Sequence, residues 1–226
     1  MRLRLATTVL ATVLSSFAAT AADDCQIRAL ALHPGTVPEE LHVQSAADSA
    51  PAGRIHPKTF LNHESDPVKR LAGKLAFTTK AGATDASDRI GTCELPTNAK
   101  SVILVFIPEI QGKPACKVIV VDDSPKAFPP GSIHVLNLSS MPVRIELEKS
   151  KFEFKPGEIR PIPNPPAGAN GTAAMSAMCQ RKNVWEKFAS GVWPHPGAKR
   201  VLQILTEAPD TKQIEIRGFR DVAAPH

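Results

Sequence analysis

Residues 100–124 read KSVILVFIPEIQGKPACKVIVVDDS, and this stretch decides the fold class. Residues 102–107 form an unbroken run of apolar, mostly β-branched side chains between Lys100-Ser101 and Pro108. A run this short, bounded by turn residues, fits a strand covered on both faces. Residues 118–121 (VIVV) supply an equally apolar partner, and Gly112 and Pro114 mark the connection between them. The acids Asp122 and Asp123 close the unit.

Working outward, the same grammar recurs. Residues 133–138 are a further strand, ended by Ser139-Ser140-Met141-Pro142. Val143, Ile145 and Leu147 alternate with Arg144, Glu146 and Glu148, the period of two expected of a half-buried strand. Phe152 and Phe154 continue the alternation before Pro156-Gly157 turns the chain. Residues 201–205 and 214–216 close the C-terminal half, and 41–44, 54–61, 68–71, 74–79 and 88–95 read as strands in the N-terminal half. The total is roughly fourteen short strands, which predicts an all-β sandwich architecture. The composition agrees: 21 prolines and 13 glycines oppose long helices. Residues 161–176, with four prolines, read as a long loop, and residues 173–182 as one or two helical turns.

The chain also resembles itself. Residues 67–82 (PVKRLAGKLAFTTKAG) align without a gap on 142–157 (PVRIELEKSKFEFKPG), and 51–56 (PAGRIH) on 129–134 (PPGSIH). Residues 100–124 share their layout with 199–221, each introduced by Ala-Lys, and 28–49 is a fainter copy. The blocks run A-B-A-B-A, which predicts two pseudo-repeated β-sandwich lobes, 22–124 and 125–226, or one continuous sandwich if the middle A block is shared.

The first 21 residues read as an export signal. Arg2 and Arg4 precede an uncharged stretch rich in Leu, Val, Ala and Thr, and Ala19-Thr20-Ala21 suits a signal peptidase. The expected location is the periplasm or the exterior. No later segment is apolar enough to span a bilayer. The formal net charge is +5, with basic residues scattered rather than gathered, which argues against nucleic-acid binding. An oxidising compartment makes the four cysteines readable as two disulfides. Cys93 and Cys116 flank one strand and its turn and are the preferred pair, which leaves Cys25 with Cys179.

Residues 128–158, FPPGSIHVLNLSSMPVRIELEKSKFEFKPGE, resemble the Pro-Gly-strand-Asn segments of cupredoxin-like domains. More loosely, the whole layout resembles immunoglobulin-like sandwich domains of exported bacterial proteins with no known activity. The resemblance implies a β-sandwich. The copper site of that family sets a Cys, a His and a Met close together. Here His134 follows Cys116, and His195 follows Cys179, at spacings that do not match.

Chemistry is sparse in the pattern. The histidines at 33, 42, 56, 63, 134, 195 and 226 form no H-x-x-H, H-E-x-x-H or H-x-H, and no G-x-S-x-G elbow occurs. His56 and His134 both follow Gly-x-Ile in the repeat and suit a histidine bonded to a nearby carbonyl. Asp122-Asp123 and Asp221 end matching blocks and are candidates for a cation site or for ordinary turns. Trp185 and Trp193, near Phe188, are core or an exposed platform. No catalytic, cofactor or metal residue is assigned. The expectation is an exported, non-enzymatic binding or cell-envelope accessory protein whose ligand is an envelope or extracellular molecule. The alternatives are an envelope hydrolase with a site near 161–182 and a periplasmic metal-binding protein.

Overall fold

The computed structural model describes residues 24–109, 115–208 and 210–221. The expected export signal, residues 1–21, lies outside them, as does His226. The described residues form sixteen strands and no helix. The first eight are β1 (Asp24–Ala31), β2 (Leu41–Ser45), β3 (Pro51–Ile55), β4 (Asp66–Lys69), β5 (Lys74–Thr78), β6 (Arg89–Glu94), β7 (Ser101–Pro108) and β8 (Cys116–Asp122). The second eight are β9 (Ile133–Asn137), β10 (Val143–Leu147), β11 (Ser150–Phe154), β12 (Ile159–Ile162), β13 (Thr172–Arg181), β14 (Val184–Pro194), β15 (Arg200–Glu207) and β16 (Ile214–Asp221).

Each set of eight makes two four-stranded sheets that pack as a sandwich. In the first lobe the sheets run β4-β1-β7-β8 and β3-β2-β5-β6; in the second they run β12-β9-β15-β16 and β11-β10-β13-β14. The orders coincide when each strand is advanced by eight. Both lobes also carry the same parallel pair, β1 with β7 and β9 with β15, while every other pairing within the sheets is antiparallel.

Three apolar cores hold this together. Ile27, Leu41, Phe77, Leu104 and Phe106 fill the first sandwich, and Val135, Ile145, Phe154, Ala177 and Leu205 fill the second. The third core lies between the lobes, where Leu30, Ile103, Val105, Leu136, Leu202 and Ile204 meet. The molecule is thus four sheets deep, and the two central sheets are buried on both sides. This is why residues 102–107 carry no polar residue: Val102, Leu104 and Phe106 face the first lobe's interior, and Ile103 and Val105 face the other lobe.

Two local expectations are overturned. Residues 172–181 are strand β13, not helical turns, and the loop shrinks to 163–171. Ala173, Met175, Ala177 and Cys179 point into the core in strict alternation. The strand pairs with β14 through Lys182 and Asn183, both at positive φ (46° and 66°), a twist that suits a two-residue hairpin turn. Second, the gapless match of 67–82 with 142–157 does not join equivalent strands. Residues 142–157 contain the hairpin β10–β11 within one sheet, whereas 67–82 runs from β4 in one sheet to β5 in the other. The blocks 100–124 and 199–221 do occupy equivalent places, as β7–β8 and β15–β16.

Candidate functional site

The seam between the lobes is built from the strands that both sheets share with it. Val102 pairs with Ile27, and Val201 with Ile133, so β1 and β9 stand in equivalent registers. In that register Leu30 corresponds to Leu136, and Arg28 corresponds to His134. From Arg28 the seam runs through Leu30 to Leu32 on one side and from Arg200 through Leu202 and Ile204 to Thr206 on the other.

One end of the seam is a buried ion cluster. The Arg28 guanidinium donates to Asp123 from Nε (2.9 Å) and Nη2 (2.7 Å), to Asp221 from Nη1 and Nη2 (both 2.9 Å), and to the Leu61 carbonyl from Nη1 (2.9 Å). All five of its donors are therefore used. Arg200 reaches the same two carboxylates, with Nη2 at 3.0 Å from Asp123 Oδ1 and Nε at 3.0 Å from Asp221 Oδ2. Its Nη2 also bonds Asp221, and its Nη1 donates to the carbonyls of Asp123 (3.2 Å) and Phe128 (3.1 Å). The Phe128 ring lies under the same guanidinium, 4.7 Å from its centroid. Burial opposes ionisation of Asp221, but Arg28 and Arg200 outweigh it and hold the carboxyl below its ordinary range. Asp123 and Asp221, candidates for a cation site in the sequence, here take guanidinium ions as their cations. Each lobe supplies one Arg and one Asp, so the cluster ties the lobes together.

His134 lies beside this cluster. It is 5% exposed, stands edge-on to Phe128 with centroids 4.9 Å apart, and its Nδ1 has no hydrogen-bond partner. Burial pushes its pKa down to about 4, with Arg200 adding to the shift. His134 is therefore a neutral ring in an apolar seam. The sequence suggested a bond to a nearby carbonyl, and no carbonyl meets Nδ1. His56 is placed differently: its Nδ1 is 2.9 Å from Asp66 and its Nε2 3.4 Å from Glu40, on the surface. His42 also faces Glu40, at 3.8 Å, but the Arg54 guanidinium reaches both oxygens of that carboxylate at 3.4 Å. Among the described residues no three His, Cys, Asp or Glu side chains are gathered as a metal site.

The other end of the seam is open. Where β1, β7 and β15 leave the interface, a cleft of about 610 Å³ separates the lobes. Leu32, Ile107, Pro108 and Ala208 give it apolar walls, and Glu109, Glu207 and Glu215 stand among its lining residues with His33, Thr36 and Thr206. Glu207 accepts a hydrogen bond from the Ser140 amide (2.6 Å), and its carboxyl is held below the ordinary range by the Ser140 side chain first and then by this amide. Burial, then the Arg217 charge, lowers the pKa of His33. Arg217 itself crosses the seam to donate to the Leu32 carbonyl at 2.8 Å. A cleft of about 680 Å³ is walled instead by residues 96–101, by Asp122 and by residues 124–126.

All four cysteines are buried free thiols, so neither expected bridge is formed. Cys25, Cys93 and Cys116 belong to the first lobe's core, and Cys179 belongs to the second's, which sets the expected Cys25–Cys179 pair in separate lobes. The Cys93 thiol is pushed up to about 12 by burial and then by Cys25, which makes Cys25 a neighbour of Cys93. Trp193 is core, and Trp185 sits under the Arg144 guanidinium at 4.1 Å. No protein-family model matches the chain, and no curated protein matches it. The interlobe cleft was not legible in the sequence, because its walls come from four separate stretches that are ordinary strand ends when read alone.

Proposed function

We propose that the protein is exported and acts outside the cytoplasm as a non-enzymatic binding or cell-envelope accessory protein, holding its ligand in the interlobe cleft. The observation that carries this reading is the cleft of about 610 Å³ at the lobe junction, with Leu32, Ile107, Pro108 and Ala208 as apolar walls and a few polar groups among them. Size, apolar lining and position between two lobes are the usual marks of a small-molecule site. The hydroxyl of Thr36 donates to the His33 carbonyl, and the Ser140 side chain and amide both bond Glu207, so these polar groups are held in place at the cleft. The basic start and uncharged stretch of residues 1–21 support export.

The test uses the full chain without its leader and a neutral fluorescent reporter, N-phenyl-1-naphthylamine. Its emission is expected to rise on binding the wild type. Thr36 is exposed, so Thr36→Trp should leave the fold intact while filling the cleft, and should abolish the rise. An equal rise with both proteins, or none with the wild type, would overturn the cleft as the binding site.

A further inference from the structure

The cleft has a sign as well as a shape. Three carboxylates, Glu109, Glu207 and Glu215, line it, and among the described residues no lysine or arginine does. Glu109 and Glu215 are exposed at its rim. Neither side chain is in a salt bridge among the described residues. Glu207 is ionised and already bonded to the Ser140 amide. The cations facing this region are few. Arg217 is bound to the Leu32 carbonyl, and Lys212 and Arg181 both lie close enough to Glu207 to help lower its pKa. His33, its pKa lowered by burial, is uncharged at neutral pH and cancels none of the acid. The protein as a whole is basic, with a formal net charge of +5, so an acidic mouth on an apolar cleft is a local feature rather than a reflection of composition.

We propose that the ligand is an amphiphilic organic cation, with an apolar body against Leu32, Ile107, Pro108 and Ala208 and an ammonium group at Glu109 and Glu215. This rests on the cleft being the binding site. Apolar contact supplies affinity, and the carboxylates choose the sign of the head group and its orientation. A carboxylate-headed molecule of the same length is repelled at the same mouth, and a neutral alcohol meets neither effect.

The experiment displaces N-phenyl-1-naphthylamine from the wild-type chain with octylammonium, octan-1-ol and octanoate, each below its aggregation concentration at neutral pH. Two partly exposed charge pairs should make octylammonium roughly three- to tenfold tighter than octanol, with octanoate the weakest. The double variant Glu109→Gln/Glu215→Gln should remove that preference while leaving octanol unchanged. Added salt should narrow the gap between octylammonium and octanol. Reporter binding with equal displacement by all three, or with octanoate tightest, would overturn the cation and leave the cleft standing. A preference for octylammonium that survives in the double variant would overturn the assignment of Glu109 and Glu215. Failure of the reporter to bind at all would instead overturn the site.

Discussion

Replacing Arg28 by Met tests how the lobes are held. Methionine keeps much of the buried length but removes five charge-assisted hydrogen bonds: two to Asp123, two to Asp221 and one to the Leu61 carbonyl. Asp123 and Asp221, 8% and 1% exposed, then lose the guanidinium that bridges them, which removes one of the positive charges offsetting two buried carboxylates. Removing one partner from a buried pair costs about 3–5 kcal/mol, mostly the penalty on the stranded charge. For a chain of this size that corresponds to a fall in Tm of roughly 6–20 °C. Thermal and urea unfolding followed by Trp fluorescence would read it. The two tryptophans lie in the second lobe, so circular dichroism should be followed in parallel to reveal the lobes unfolding apart. Adding Asp123→Asn to Arg28→Met relieves the stranded charge, and the pair should cost clearly less than the sum of the two single changes. The pH dependence has a definite sign. The folded carboxyl of Asp221 is held below its ordinary range, so its contribution is complete above about pH 4 and is lost as pH falls through the lowered value. A loss below about 1 kcal/mol in Arg28→Met, or strict additivity in the double variant, would refute the clamp.

Two further outcomes follow from the packing. His134 has a folded pKa of about 4 against roughly 6.5 when unfolded, so its neutral ring stabilises fully above pH 6.5 and that stability drains away as pH falls toward 4, by up to about 3 kcal/mol. His134→Leu should flatten this part of the stability–pH curve, and an unchanged slope between pH 4 and 6.5 would show that the ring is not the source. At Gly91 an added Cβ would meet Val118 Cγ2 at 2.5 Å and the Cys116 carbonyl at 3.0 Å, whereas nothing lies within 4 Å of one added at Gly191. Gly91→Ala should therefore cost about 1–3 kcal/mol by overpacking β6 against β8, and Gly191→Ala should stay within about 0.5 kcal/mol, both measured by urea denaturation.

Much of the fold was legible because the signals are local. Alternation in 143–147 and the apolar run in 102–107 need only the side chains themselves, and both segments are strands. The strand β13 escaped because Ala and Met occupy both of its faces, which blurs the period of two, and because Lys-Asn is a weaker hairpin signal than Asn-Gly. The gapless likeness of 67–82 to 142–157 misled because both are strand-turn-strand stretches closed by Lys and Gly, and such residues recur wherever a chain turns.

The sequence by itself determined that the protein is all-β, where most of its strands lie, and that its central strands need cover on both faces. Only the tertiary structure decided what covers them. The third core between the lobes joins residues from Leu30 to Ile204, and Arg28 finds its carboxylates 95 and 193 positions along the chain. The physical reason is one of range. Strand formation is written in neighbouring side chains, whereas pairing across a lobe junction depends on which surfaces folding brings together. The same folding tied Asp123 and Asp221 to arginines at one end of the seam, and left Glu109 and Glu215 beside an apolar cleft at the other.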